Sequence, residues 1–110
     1  MQIDFHARGF FYGDVAQDYA RHRLGFALGR FADVIQRVKV QVEETSGSRN
    51  GVDKLCRMQV FLERVAEPIV ASVEDNSIKV AIDMVAERVS RAVARRMDRV
   101  NQQRLSRSRN

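Results

Sequence analysis

Hydrophobic and polar residues alternate in four stretches of the chain, which predicts four β-strands. These stretches are residues 1–7, 35–43, 56–62 and 69–73. In each stretch every second residue is apolar and the residues between them are mostly polar. Only one face of the sheet is therefore expected to be covered. Pro68 stands immediately before the last stretch, where proline is tolerated because it need not donate a ladder hydrogen bond.

Two longer segments carry apolar residues at spacings of three and four, which predicts two amphipathic helices. The first helix is expected to begin near Asp14, where Gln17 completes a capping pattern, and to end near Asp33. The second is expected to follow a capping residue within 75–77 and to end near Val100. The order β-α-β-β-β-α indicates an α+β domain with both helices on the same side of a four-stranded sheet.

Glycines and polar residues predict three further features. Gly25 and Gly29 lie inside the first predicted helix, where each costs about 1 kcal/mol relative to alanine, so we expect a neighbouring helix to pack closely against them. Residues 45–51 are rich in turn formers and include an Asn-Gly pair, which predicts a mobile hairpin loop. Residues 101–110 have no apolar period and are expected to form a flexible basic tail.

The length of 110 residues indicates one domain, expected over residues 1–100. The N-terminus has no signal-peptide pattern, and no apolar run approaches the ~20 residues that span a bilayer. The single cysteine, Cys56, has no partner for an internal disulfide and falls on the apolar parity of its strand. We therefore expect a cytoplasmic protein with a buried, structural thiol.

Positive charge is concentrated in the last third of the chain. Residues 1–75 contain 10 Lys and Arg against 11 Asp and Glu, whereas residues 76–110 contain 9 against 3. A basic segment on a nearly neutral domain is typical of proteins that bind a polyanion, either nucleic acid or an anionic membrane. The other interpretation is a solvated helix followed by a solubilising tail.

The second predicted helix carries a row of arginines on one side. Its members are Arg88, Arg91, Arg95 and Arg99, at spacings of three and four. Like charges at these spacings repel, and planar guanidinium groups match phosphate oxygens, so the row indicates an RNA-binding surface. The other candidates for this surface are Lys79 and Arg96 on the same helix and Arg21, Arg23 and Arg30 on the first. If the helices lie side by side, two cationic ridges adjoin and bind by shape and charge rather than base sequence.

No arrangement of residues indicates an enzyme. His6 and His22 have no Cys or His partner at metal-ligand spacing. The acidic pairs lie at a strand end and a helix start, where solvation and capping explain them. We therefore expect no metal, no cofactor and no small-molecule substrate.

Three short motifs follow one another along the chain: residues 71–74 (Ala-Ser-Val-Glu), 77–83 (Ser-Ile-Lys-Val-Ala-Ile-Asp) and 88–91 (Arg-Val-Ser-Arg). They resemble the A-S/T-A-E, D-x-Y-A-A-I-D and K-L-x-R runs of the ribosome hibernation-promoting factor family, also called the ribosome-associated inhibitor or sigma-54 modulation protein family. The resemblance covers residues 1 to about 100. The chain departs from the family pattern at Lys79, where Tyr is usual, and at Ala92, where Gln is usual.

The resemblance implies a domain similar to double-stranded-RNA-binding domains that binds the small ribosomal subunit where mRNA and the A- and P-site tRNAs lie. The basic family positions, which are expected to contact ribosomal RNA, are Arg23, Arg88, Arg91, Arg95 and Arg99. The implied function is that of a translation inhibitor that keeps idle ribosomes inactive in stationary phase or stress. A length of 110 residues implies a short family form without the dimerisation domain of long members, and a monomer when free.

Three other functions stay open at this point. A protein-interaction module that modulates a sigma factor or another regulator would be insensitive to ribonuclease. A free double-stranded-RNA binder would bind plain duplex tightly without ribosomes. A basic helix can also lie on an anionic membrane, although the second helix has no Trp and needs its apolar face for the core.

Overall fold

The computed structural model describes the backbone of residues 1–9, 13–47 and 51–108, and the side chains of residues 1–9, 13–45 and 53–103. The elements are β1 (Gln2–Arg8), α1 (Gly13–Leu28), a 3-10 turn (Gly29–Phe31), β2 (Ile35–Gly47), β3 (Gly51–Leu62), β4 (Ile69–Asp75) and α2 (Ile78–Ser108). The predicted order β-α-β-β-β-α and the α+β class are confirmed.

The four strands form one mixed sheet in the order β1-β2-β3-β4. β1 runs parallel to β2, and the two later pairs are antiparallel. The register places Phe5, Val40, Met58 and Ala71 in one row across the sheet. α1 supplies the crossover connection that the parallel pair requires.

One face of this sheet carries the core, as predicted. The fully buried strand residues include Val38, Val40, Val42, Cys56, Met58 and Val60. The fully buried helix residues include Ala20, Leu24, Leu28, Ile82, Val85 and Val89. The opposite face presents polar side chains such as Gln41 and Arg57, which are exposed.

The two helices lie side by side on the covered face and run in the same direction. The Tyr19 hydroxyl of α1 donates to the Asp83 carboxylate near the start of α2 at 2.7 Å. Further along both helices, the Ser90 hydroxyl donates to the backbone carbonyl of Ala27 at 2.8 Å. α2 also packs against β3 and β4, so it lies between α1 and the β4 edge of the sheet.

The start of α2 is fixed by two side chains. The Ser77 hydroxyl accepts a hydrogen bond from the Val80 backbone N–H at 3.4 Å. The Asp75 carboxylate accepts one from the Ser77 backbone N–H at 2.9 Å. Of the three predicted capping residues, Ser77 is therefore the N-cap, and Asp75 stabilises the turn before it.

Two predicted boundaries are wrong. α1 ends at Leu28 and a 3-10 turn follows to Phe31, because Gly29 has low helix propensity, whereas the helix was expected to reach Asp33. β2 and β3 extend into the predicted loop and pair as far as Gly47 and Gly51. Residues 48–50 of that predicted loop lie outside the described residues.

The prediction of a flexible tail from residue 101 is wrong for residues 101–108, which continue α2 as helix. Gln102 and Gln103 have good helix propensity, and this segment contains no Gly or Pro that would end the helix. Residues 101–103 are exposed, so the missing apolar period indicated solvent exposure rather than the end of the helix.

The prediction that Gly25 and Gly29 allow a neighbouring helix to pack closely is also wrong. A Cβ atom added at either position would meet no atom within 4 Å. α1 approaches α2 at Ala27, whose carbonyl oxygen accepts the Ser90 hydroxyl hydrogen bond. The two glycines therefore border open space.

Cys56 is fully buried in β3, as predicted. Burial raises the pKa of its thiol to about 12. A thiol with that pKa is protonated at neutral pH and is a poor nucleophile. The position of Cys56 therefore supports packing rather than chemistry.

Candidate nucleic-acid interface

Three of the predicted RNA-contacting arginines line one groove between α2 and the edge strand β4. They are Arg88, Arg91 and Arg95. The other lining residues are apolar, namely Ile69, Val70, Ala71 and Ala92. Arg99 continues the row one turn further along α2. These four arginines are called the arginine ridge below.

The helical period explains why the ridge is solvent-accessible. Val85, Val89 and Val93 are fully buried between α2 and the sheet. Successive residues of a helix are rotated by about 100°, so the ridge residues fall on the flank beside this buried stripe. All four ridge arginines are exposed.

Few acidic side chains neutralise the positive charge of the arginine ridge. Arg91 forms an ion pair with Glu87, which lies four residues before it on α2. Both partners are more than half exposed, so this pair contributes little to stability. Within the part of the chain that the structure describes, no carboxylate pairs with Arg88, Arg95 or Arg99.

Arg23 lies in a different place, between the two helices. Its Nε atom is 3.2 Å from the carboxylate of Asp83, and its side chain is 31% exposed. The same carboxylate accepts the Tyr19 hydroxyl, and this hydrogen bond is the main reason why the pKa of Tyr19 is raised. Arg23 therefore joins α1 to α2 with part of its guanidinium group.

Three other predicted residues are spread over the helical side of the molecule. The Lys79 ammonium lies 5.5 Å from the centre of the Tyr19 ring. The Arg30 guanidinium lies 4.5 Å from the centre of the Phe31 ring. Arg96 is half-buried on α2. Cations held over aromatic rings lose orientational freedom, which restricts where Lys79 and Arg30 can reach.

The basic residues of α1 do not adjoin the arginine ridge of α2, so the expectation of two neighbouring cationic ridges is wrong. The arginine ridge borders β4 on one flank of α2. Asp83 and Ser90, on the other flank, contact α1. α2 itself therefore separates Arg23 from the ridge. The spacing of residues along α2 does not reveal which flank faces α1, so the sequence could not exclude the adjoining arrangement.

Sequence reasoning missed the contact between Tyr19 and Asp83. The two residues are 64 positions apart, so no local pattern connects them. It also missed a cation–aromatic cluster on the open face of the sheet. There the Phe61 ring lies 5.1 Å from the Arg37 guanidinium and 5.6 Å from the Lys39 ammonium. Phe61 falls in step with the polar residues Arg57 and Gln59 of β3, and this position in the alternation was the signal that placed it on the open face.

The groove can hold an extended polyanion. Guanidinium groups donate paired hydrogen bonds to phosphate oxygens, and their aliphatic stems can lie along the apolar residues of β4. Among the described residues no polar side chain is buried, so the groove offers no enclosed group that could read base edges. Such a surface recognises charge and shape.

These features define a class of small α+β domains in which two parallel helices cover one face of a four-stranded mixed sheet. The crystal structure of the N-terminal domain of Protein Y from Thermus thermophilus has this fold, with a TM-score of 0.69 and 23% identity over 86% of this chain and 98% of that chain. A ribosomal subunit interface protein from Coxiella burnetii has a TM-score of 0.69 and 15% identity over 89% of this chain and 99% of that chain. At these identities the likeness concerns the fold.

The sequence itself establishes the family. The family model described as Sigma 54 modulation protein / S30EA ribosomal protein matches residues 3–101. The chain therefore belongs to this family of ribosome-associated proteins, and the resemblance found in the sequence is confirmed. No individual curated protein matches the chain significantly.

Two findings bear on membranes and metals. Among the described residues, no helix is long and apolar enough to cross a bilayer. Over the same ranges, no group of three or more His, Cys, Asp or Glu side chains is positioned to hold a metal ion.

Proposed function

We propose that this protein is a cytoplasmic translation inhibitor that binds the small ribosomal subunit and keeps idle ribosomes inactive. The observation that carries the proposal is the gathering of Arg88, Arg91 and Arg95 around one exposed groove, in a member of a ribosome-associated family. Ribosomal RNA is the polyanion that such a protein meets. The arginine ridge is the part of the surface that is chemically suited to its phosphates.

The ridge contacts the RNA backbone rather than base edges. Residues 88–99 span about 16 Å of helix at 1.5 Å per residue, which is long enough to follow several phosphates. The supporting contacts come from the other predicted residues, Arg23, Arg30, Lys79 and Arg96. Because these contacts release counterions, binding weakens steeply as salt increases.

Inhibition follows from occupancy of the channel for mRNA and the A- and P-site tRNAs. The molecule measures 60 × 25 × 21 Å. A bound object of this size excludes mRNA and tRNA from the volume that it fills. No bond is made or broken, and no cofactor takes part.

Sucrose-gradient sedimentation of stationary-phase lysate tests the proposal. The wild-type protein should migrate with small subunits or whole ribosomes and should return to the top of the gradient after ribonuclease treatment. Purified protein should also lower initiation in a reconstituted translation reaction. A protein that stays at the top of a low-salt gradient, or an association that resists ribonuclease, would contradict the proposal and favour a protein partner.

A charge-reversal variant tests the ridge itself. Arg91→Glu together with Arg95→Glu should abolish association while circular dichroism shows an intact fold, because both side chains are exposed. Arg8→Glu together with Arg57→Glu is the matched control, with the same change in net charge on exposed residues of β1 and β3, because β1 forms the sheet edge opposite β4. Equal losses in the two variants, or no loss in the first, would show that the ridge is not the contact surface.

A further inference from the structure

Phe26 is the most exposed large hydrophobic side chain in the described part of the chain, at 79%. It lies on α1 one turn after His22, whose ring meets it at 69° with the ring centroids 5.4 Å apart. Leu24 and Leu28 provide the buried face of this part of α1. The fold therefore does not use the Phe26 ring, which presents a flat apolar surface to solvent.

A strip of bare helix backbone lies beside the ring. Gly25 and Gly29 are one residue before and three residues after Phe26, and the space above both is open. Glycine lowers helix stability, and neither position needs it for packing within the chain. A strip without side chains allows something outside the chain to approach the backbone closely.

Cationic side chains flank the ring along the chain. Arg23 lies three residues before Phe26, and Arg30 lies four residues after it. The nearest acids along the chain are Asp18 and Asp33, which lie beyond the two ends of the glycine strip. Asp83 of α2 neutralises part of the Arg23 charge, whereas Arg30 has no carboxylate partner among the described residues. A ligand that covers Phe26 therefore meets positive charge mainly from Arg30 and from the unpaired part of the Arg23 guanidinium.

We propose that Phe26 and the strip formed by Gly25 and Gly29 receive an unpaired base of the bound RNA. The base stacks on the aromatic ring, and the neighbouring arginines hold the adjoining phosphates. This inference rests on the proposed function and adds a contact on α1, which the arginine ridge of α2 does not provide. Stacking is tolerant of sequence because every base has a π-face, so it is compatible with a surface that recognises charge and shape.

One feature of the patch favours a base over an apolar pocket of a protein partner, and a second lowers the cost of binding. A planar base can lie against the ring and over the bare backbone at once, whereas a partner that simply buries Phe26 gains nothing from the two glycines. The contact with His22 restricts the ring before binding, so stacking costs little conformational freedom.

Substitutions at Phe26 separate stacking from general apolar contact. Phe26→Tyr should retain the affinity for small subunits, and Phe26→Leu should lose about tenfold, because a leucine side chain has similar hydrophobicity but no π-face. Val15→Ala is the matched control, since Val15 is another exposed apolar residue of α1. Equal affinities for the Phe26→Leu variant and the wild type would overturn the inference.

A substitution in the glycine strip gives opposite effects on stability and binding. Gly25→Gln should raise the melting temperature, because glutamine has higher helix propensity and the space is open. The same change should lower the affinity for small subunits about tenfold, because its side chain fills the strip that the base occupies. A variant that is more stable and binds like the wild type would contradict the proposed role of the strip.

A fluorescent probe tests stacking directly. The chain contains no Trp. Phe26 replaced by 5-hydroxytryptophan is therefore a single probe that can be excited apart from ribosomal tryptophan. Small subunits should quench it, and the same probe at Val15 should stay bright. Adenosine monophosphate alone should quench neither probe, because it brings no chain of phosphates for the arginines.

The outcomes separate this inference from the proposed function. If the protein with the probe at Phe26 binds small subunits without quenching, the stacking inference is wrong and the proposed function stands. If adenosine monophosphate quenches the probe, the patch is a site for a free nucleotide, and the assignment to RNA is wrong. If the wild-type protein does not bind small subunits, both proposals are wrong.

Discussion

The Tyr19 hydroxyl of α1 donates a hydrogen bond to the Asp83 carboxylate of α2 at 2.7 Å. The Arg23 Nε lies 3.2 Å from the same carboxylate, so one acid joins two side chains of the neighbouring helix. The Arg23 and Asp83 side chains are 31% and 43% exposed, so solvent screens their ion pair. The contact therefore sets how α1 lies beside α2 more than it adds to the total stability.

Asp83→Asn should lower the free energy of unfolding by about 1 kcal/mol, because it removes the ion pair and weakens the hydrogen bond. It should also lower the pKa of Tyr19 towards its ordinary value, since the charged acceptor is the main cause of the raised pKa. Phenolate absorbance in a Tyr12→Phe background, where Tyr19 is the only tyrosine, measures this pKa. Asp98→Asn is the control at another acid of α2. An unchanged Tyr19 pKa in the Asp83→Asn protein would contradict the assignment.

The Cys56 thiol should make the fold sensitive to alkali. Burial raises its pKa from 9.0 to about 12, so the folded state keeps the proton after the unfolded state has lost it. The stabilisation is complete below pH 9 and is lost as the pH rises towards 12. Across that window this group should make the free energy of unfolding fall as the pH rises, because the unfolded state binds fewer protons than the folded state.

Urea unfolding of the wild type and of Cys56→Ala at several pH values isolates the contribution of the thiol. The variant should be less stable at neutral pH, because a buried group is removed, but its stability should fall less steeply above pH 9. Parallel pH profiles for the two proteins would show that the thiol is not the group responsible.

The salt dependence of ribosome binding should identify the arginines that touch phosphates. Arg88→Gln and Arg95→Gln should each weaken binding and reduce the slope of log K against log salt concentration by about 1. Arg8→Gln, at an exposed arginine of β1 on the sheet edge opposite β4, should leave the slope unchanged. If all three variants keep the wild-type slope, the ridge does not neutralise phosphates.

Arg64 has a left-handed backbone conformation, with φ 63°, in the turn after β3. A side chain with a Cβ is strained there, so Arg64→Gly should raise the free energy of unfolding by about 1 kcal/mol. Arg64→Ala retains the Cβ and should change stability little. Urea denaturation of the three proteins measures the difference, and a glycine variant no more stable than the alanine variant would argue against strain at this residue.

Several features followed from local patterns in the sequence. The two-residue period from Cys56 to Leu62 gave the orientation of β3, because successive side chains of a strand point to opposite faces. The helical period likewise placed Arg88, Arg91 and Arg95 on one flank of α2. Both predictions needed only the geometry of a single strand or helix, because the spacing of residues along that element determines which face each side chain occupies.

Other features depended on how separate elements pack. The sequence suggested that Gly25 and Gly29 face a neighbouring helix, yet they border open space. The sequence predicted Arg23 only as an RNA contact, yet its guanidinium also forms an ion pair with Asp83. The extent of α2 beyond residue 100 was missed because an exposed helix needs no apolar period.

The sequence by itself determined the α+β order, the single covered face of the sheet, the row of arginines and, through its motifs, the family. Only the tertiary structure decided that the row borders β4, that Asp83 and Ser90 face α1, and that Phe26 and the space over Gly25 and Gly29 are open to solvent. The reason is that the rotation of each helix about its own axis is set by the fit of buried side chains from distant segments. The spacing of residues within one helix does not reveal how that helix packs against distant segments.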